Sequence, residues 1–310
     1  METNDLQTLV AQIAAQRPMQ GKYLRGLSEQ LIDDEAADCE RLLQFYLLQG
    51  ETVASLAEAY LMFCDDTMEE TKYFIEHDDY RYHKFSEVAA NVYFDESYMW
   101  KYMIGLGLSL YLWPQHRACL RFFSEAYEKY APAGGTYLEI GPGHGKYFCD
   151  AVRMGRCSAY TAADLSETSL RMTQQLLQHF LTEEEFCQCQ FQCTDVTKQA
   201  PGAGYDFITM CEVLEHVEEP LRLLGSLRSM SIRGGACVPF RTRQRAGQRS
   251  HLPVPHRRRR RRNGRSRRIR NPGKALLPYA EAHAGKGCEV QRCHLGGDVF
   301  DRKMKARNFS

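Results

Sequence analysis

The stretch YLEIGPGHGKYF, Tyr137 to Phe148, decides how the rest of the chain is read. A β-rich run enters Glu139-x-Gly141-x-Gly143-x-Gly145, and a run of helical character follows without a spacer. Glycine takes positive-φ conformations without steric cost and lets a ligand approach the main chain closely. The helix start beyond such a turn offers unpaired N–H groups to an anionic group. The turn is therefore a candidate ligand cradle, although many strand–helix turns carry two glycines for packing alone.

Outward from the turn, the texture of the sequence supports the cradle. From APAGG (Ala131–Gly135) short β-rich runs alternate with helical ones, and TYLEI, SAYTAAD, FCQCQFQC, YDFITM and GGACV make five candidate strands between Gly135 and Val238. Such alternation predicts an α/β fold built on a parallel, doubly wound sheet. Asp164 closes the second candidate strand, nineteen residues after Gly145, where an acidic group suits ribose hydroxyls. Asp195 is expected to close the third strand in CTDVT, and the fourth runs into TMCEVLEHVEEP. Ligands of open α/β sheets bind beyond the carboxyl ends of the strands, and all four elements map there.

In this order and at these spacings, ExGxGxG, Asp164, DVT and CEVLEHVEEP resemble the class I S-adenosylmethionine-dependent methyltransferases. The resemblance covers about Tyr137 to Val238, a third of the chain. It implies a Rossmann-like sheet and S-adenosyl-L-methionine as cofactor. It further implies that Glu139, Gly141, Gly143 and Gly145 hold the methionine part. Asp164, with Leu165 beside it, would take the ribose, Asp195 the adenine amino group, and Val196 would flank the ring. Cys211 and Glu212 would sit beside the sulfonium. The nicotinamide pattern GxGxxG is not met, because the third glycine of GPGHG comes one residue early; that counts against a dehydrogenase.

A sulfonium is an activated methyl donor, so such an enzyme chiefly aligns acceptor, methyl and sulfur and excludes water. A hydroxyl acceptor needs a general base as well; a carboxylate does not. EVLEH supplies Glu212, Glu215 and His216, and His216 is the candidate base. The plainer reading has Glu215 and His216 capping and orienting the helix after strand four. The same letters resemble the Glu-x-x-Glu-His metal ligands of some quinone O-methyltransferases, but metal-free relatives share them, and no metal is expected. In FCQCQFQC, alternation puts Cys187, Cys189, Phe191 and Cys193 on one strand face. Free cysteine behaves as a small hydrophobe, so a buried sheet face is expected. Zinc sites pair their cysteines as CxxC, and none of the twelve cysteines does so.

Residues 1–130 read as a helical cap. AADCERLLQFYLLQG sets Leu42, Leu43, Phe45, Tyr46 and Leu47 on one apolar stripe and stops at Gly50; TVASLAEAYLMFC repeats the pattern. MIGLGLSLYLW (Met103–Trp113) is too short to cross a bilayer, which takes roughly twenty residues, and reads as a buried or substrate-lining helix. The cap holds most of the tyrosines together with Met99, Trp100, Met103 and Trp113, which suits a small apolar methyl acceptor. A large aromatic cap on this core is similar to the bacterial methyltransferases that make 3-hydroxy fatty acid methyl ester quorum signals. That likeness implies quorum sensing and virulence regulation. The alternatives are a sugar, antibiotic or quinone-type O- or N-methyltransferase, or a non-catalytic regulatory or RNA-binding relative. His77, Asp78, Asp79, His83 and His116 could meet a polar acceptor, though packing or solvent-facing roles come first.

The charge is split. Residues 1–240 carry 19 Lys and Arg against 35 Asp and Glu, a net of −16; residues 241–310 carry 21 against 4, a net of +17. The opening METNDLQTLVAQ is acidic and polar where a signal peptide would be basic and then apolar, so a reducing cytoplasm is expected. Three organisational units follow: the cap at 1–130, the cofactor-binding core at 131–240, and an arginine-rich tail at 241–310. HRRRRRRNGRSRRIR (His256–Arg270) reads as a phosphate-binding arm, as a disordered extension, or as a segment translated out of frame. The arm lacks interleaved aromatic contacts, so no nucleic-acid partner is expected. The third reading is preferred, because the fold still needs a helix and two strands after GGACV. Residues 249–270, read one nucleotide later, permit DHIYLFRTADDVDEMVAAGGFE, which has helical spacing and restores acidic balance. The C-terminal part of the sheet is accordingly expected to be missing or scrambled.

Overall fold

The computed structural model describes residues 5–77, 95–211, 213, 217, 219–242, 280–282 and 293–294. The cap comes first as α1 (Asp5–Gln16), α2 (Pro18–Ser28), α3 (Asp33–Leu48), α4 (Val53–His77), α5 (Glu96–Leu112) and α6 (Pro114–Tyr130). Pro18 and Pro114 open their helices, where a fixed φ is an advantage and the missing N–H leaves no bond unmade. Asp95 caps α5, its Oδ1 accepting from the Tyr98 N–H at 3.0 Å. The apolar run lies on α5 and is buried at Met103, Ile104, Leu108 and Leu110 to Leu112. A Cβ on Gly105 would lie 2.4 Å from Phe63 Cβ and 2.7 Å from the Ala59 carbonyl, so α4 and α5 approach as only glycine permits. Among the described residues no helix is long and apolar enough to cross a membrane.

The core follows as β1 (Gly135–Ile140), α7 (Lys146–Met154), β2 (Cys157–Asp164), α8 (Glu167–Phe180), α9 (Glu183–Phe186), β3 (Cys189–Cys193), β4 (Tyr205–Cys211), α10 (Pro220–Met230) and β5 (Ser231–Thr242). The strands run in the order β3-β2-β1-β4-β5, all parallel. The chain leaves β1 in one direction through β2 and β3, then returns to its other side with β4. That reversal is the switch point at which open α/β sheets bind ligands. The five expected strands, the parallel Rossmann-like sheet and the helical cap are all present.

Alternation along β1 sends Tyr137 into one apolar cluster and Leu138 and Ile140 into another. The first cluster joins Tyr137, Phe148 and Phe207 to Leu42, Tyr60, Ile104 and Phe123 of the cap. Cap and sheet thus share one core. Each large side chain in it contributes roughly 1.5–3 kcal/mol on burial.

Two expectations need correction. The third strand is shorter than FCQCQFQC suggested, and its cysteines do not form a buried face. Thr182 and Glu185 make a capping box, with Glu185 Oε2 accepting from the Thr182 N–H at 2.8 Å, and this starts α9. Cys187 becomes the exposed cap of that helix, Cys193 is exposed and Cys189 half-buried on the edge strand. Nor does the sheet stop at β5. Strand β6 (Ala280–Ala282) pairs parallel to β5 at Phe240–Thr242, and β7 (Cys293–His294) pairs antiparallel to it at Ala236 and Cys237. The open edge of β5 offers unpaired backbone groups, and these five residues take them up. The arginine run itself lies outside the described residues.

Candidate functional site

Strand β1 ends at Ile140, and the next five residues fold back sharply. Gly141, Gly143 and Gly145 take φ of +66°, +56° and +79°. The Gly141 N–H donates to the Ala163 carbonyl at 2.8 Å, tying the turn to β2, and the Gly145 N–H closes it on Pro142 at 2.8 Å. A Cβ on Gly145 would stand 2.9 Å from Thr173 Cα, so this glycine also lets α8 lie against the turn. Helix α7 starts immediately, at Lys146.

Glu139, just before the turn, is 1% exposed. Its Oε2 accepts from the Tyr137 hydroxyl at 2.8 Å, and that hydroxyl also meets Thr209 Oγ1 on β4. Its Oε1 has no hydrogen-bond partner among the described residues. Burial pushes this carboxyl up to about 8, against the opposing pull of the Tyr137 hydrogen bond. Asp164 closes β2. Its Oδ1 accepts from the Ser166 N–H at 2.9 Å and its Oδ2 from Ser169 Oγ at 2.8 Å, which fixes the carboxyl beside the turn. Desolvation raises its pKa in spite of these bonds.

The family model described as "Methyltransferase domain" matches residues 113–282, more than half of the chain. The chain belongs to the methyltransferase-domain family. No curated protein matches it in sequence. Among solved structures, it is similar to the N-methyltransferase NodS from Bradyrhizobium japonicum in complex with S-adenosyl-L-homocysteine, at 18% identity and TM-score 0.35 over 41% of this chain and 61% of that one. It is also similar to the magnesium protoporphyrin IX methyltransferase from Synechocystis, at 17% identity and TM-score 0.40 over 50% and 71% of the two chains. The chain thus spans less than two thirds of the length of NodS.

The other expected positions of this methyltransferase domain fall around the same switch point. Leu165 is 46% exposed at the end of β2, while Val196 and Cys211 are buried beyond β3 and at the end of β4. Asp195 lies two residues past β3, not in it. Its Oδ1 accepts from the Thr197 N–H at 3.0 Å and Thr197 Oγ1 at 2.6 Å, and Lys198 Nζ lies 2.8 Å from its Oδ2. Desolvation is outweighed by these partners, so its pKa is lowered. Glu212, Glu215 and His216 lie outside the described residues, as do Asp78, Asp79 and His83. His77 stacks on Tyr73 at 4.1 Å at the end of α4. Among the described residues no three metal-binding side chains converge.

Sequence reasoning missed what joins cap to cradle. Lys146, 1% exposed at the first position of α7, places Nζ 2.6 Å from Asp38 of α3 and 2.5 Å from Asp150. Arg153 and the Tyr111 hydroxyl complete the contacts of Asp38, at 2.9 and 2.6 Å. Desolvation opposes both charges, but the mutual attraction wins: Lys146 is raised and Asp38 lowered. The Lys146–Asp150 spacing was visible as an i,i+4 pair; Asp38, over a hundred residues earlier, carried no local signal. Above the turn, Met99 and Met103 of α5 cluster with Met172 of α8. A Cβ on Gly143 would lie 3.8 Å from Met103 Sδ. Beside this cluster a cleft of about 500 Å³ opens between α5 and α8, lined by Trp100, Thr168, Arg171, Met172 and Gln175.

Proposed function

We propose that this methyltransferase domain moves a methyl group from S-adenosyl-L-methionine to a small, apolar molecule. The observation that carries the reading is Glu139: a buried carboxyl with one unpartnered oxygen at the mouth of three left-handed glycines. A buried polar atom without a partner is costly, and an ammonium group would satisfy it. The cofactor, when bound, supplies a methyl group already activated by a positively charged sulfur. Glu139 and the Gly141–Gly145 turn would hold its methionine part, Asp164 its ribose, and Asp195 with Val196 its base. The adjoining cleft is lined mainly by polar side chains, and the acceptor's apolar part would meet Trp100 and Met172 there, backed by the buried Met99 and Met103. The cap excludes water, which strengthens every electrostatic contact inside.

The acceptor named first by this reading is the carboxylate of a 3-hydroxy fatty acid, giving a methyl ester; O- or N-methylation of a sugar, antibiotic or quinone is the alternative. A carboxylate attacks without losing a proton, so His216 is needed as a base only for the hydroxyl alternatives. Incubation with labelled S-adenosylmethionine and 3-hydroxydecanoate should give the labelled methyl ester by mass spectrometry. Binding of S-adenosylhomocysteine without label reaching any component of a small-molecule extract would instead leave a non-catalytic relative.

A further inference from the structure

The cleft between α5 and α8 carries a charge pair on its wall. Glu96, in the first turn of α5, accepts from a guanidinium N–H of Arg171 on α8, and both side chains line the cleft. Among the described residues Glu96 is the one hydrogen-bond partner of that guanidinium. The Arg171 side chain is 48% exposed and that of Glu96 70%, so the cation is the better covered of the two. An exposed pair of this kind adds little stability. Glu96 also stands at the positive end of its own helix, which favours a carboxylate with or without a partner. Arg171 can therefore exchange Glu96 for another carboxylate at small cost. Lys146, buried between Asp38 and Asp150, cannot.

The rest of the cleft suits an amphipathic guest. The Trp100 indole N–H donates to Glu51 Oε1 at 2.6 Å, and its ring meets Tyr46 edge-on with centroids 6.3 Å apart. The indole is thus fixed before anything binds, and it lines the cleft together with Met172. A volume of about 500 Å³ lies within the range of small-molecule sites. The cleft also adjoins the cofactor cradle. Met172 clusters with Met103, which packs near Gly143, and Ser169, two residues before Arg171, donates to Asp164.

We propose that Arg171 is the anchoring cation for the acceptor: it holds the carboxylate of an amphipathic acid whose chain lies along Trp100 and Met172, and Glu96 fills that place when no acid is bound. That this acid is the methyl acceptor rests on the methyltransferase reading. A guanidinium fork matches a carboxylate and occupies only part of its lone-pair capacity, so the oxygens keep electron pairs for the methyl. Transfer joins the methyl carbon to one carboxylate oxygen as its bond to sulfur breaks. The sulfonium becomes a neutral thioether and the carboxylate a neutral ester, and no proton moves. The product has then lost the charge that Arg171 binds, and Glu96 retakes its place.

The test uses the full chain loaded with S-adenosylhomocysteine and compares 3-hydroxydecanoate with its methyl ester by calorimetric titration. The acid should bind about tenfold more tightly, the worth of one hydrogen bond to a charged group. Arg171→Gln should remove that preference and leave the affinities for the ester and for S-adenosylhomocysteine unchanged. Glu96→Gln should act in the opposite sense, because the competing carboxylate is gone. It should tighten binding of the acid by about threefold and leave the ester as it was. Thermal midpoints equal to that of the parent chain check that both variants are folded. Equal affinity for acid and ester, or binding of neither, overturns the proposal. So does a preference that survives Arg171→Gln, or acid binding that Glu96→Gln leaves unchanged or weakens. Failure of S-adenosylhomocysteine to bind overturns the methyltransferase reading instead, and the acid–ester preference then tests Arg171 on the free chain.

Discussion

At the scale of single residues, the site concentrates on Glu139. With its pKa raised to about 8, the carboxyl is mostly protonated at neutral pH when nothing is bound. Its folded value lies above its unfolded one, so its contribution to stability is full below about pH 4.5 and is lost as pH rises toward 8. Glu139→Gln should therefore raise the free energy of unfolding more at pH 8 than at pH 5, by on the order of 3 kcal/mol at pH 7. A difference that does not change with pH would contradict that assignment. Glu139, the glycines and Asp164 were legible in the sequence because each sits in or next to one local turn whose backbone demands show in the letters. The cysteine alternation misled, because the Thr182–Glu185 capping box begins a helical turn inside the apparent strand.

At the scale of elements, α7 connects the cradle to the cap. Lys146 stands at the positive end of its own helix, an unfavourable place for a cation, and is held there by Asp38 and Asp150. Lys146→Met would remove the buried cation and leave Asp38 and Asp150 with only the more exposed Arg153 as a shared partner. It should cost about 3–5 kcal/mol in denaturant unfolding, and adding Asp150→Asn should recover part of the loss. A loss under ~1 kcal/mol, as for an exposed pair, would contradict the buried network. Gly145→Ala asks for a side chain at φ +79° and 2.9 Å from Thr173 Cα. It should destabilise the chain by about 1–3 kcal/mol and weaken S-adenosylhomocysteine binding, measurable by thermal shift with and without ligand. Strand and helix identities in the core were legible from periodicity. The ion network was not, because its members come from α3, α5 and α7.

At the scale of the whole molecule, cap and sheet share one core, so denaturant unfolding should follow a single transition by tryptophan fluorescence and by circular dichroism. Separate transitions would mean the cap folds alone. The abrupt change from −16 to +17 at residue 240 has its own test. We infer a frame error near or just after Val238: the nucleotide sequence around codons 238–249 should show an insertion or deletion that opens the acidic frame. Confirmation of the present frame ends that inference and leaves β6 and β7 as the native completion of the sheet. The account as a whole rests on cofactor binding at the glycine turn. The most direct measurement is calorimetric titration of the full chain with S-adenosylhomocysteine at pH 7, in two buffers of different ionisation enthalpy. The account predicts saturable binding with about one proton released per site, as an ammonium displaces the proton of Glu139, and loss of that release in Glu139→Gln. No saturable heat, or binding whose enthalpy is the same in both buffers, would contradict it.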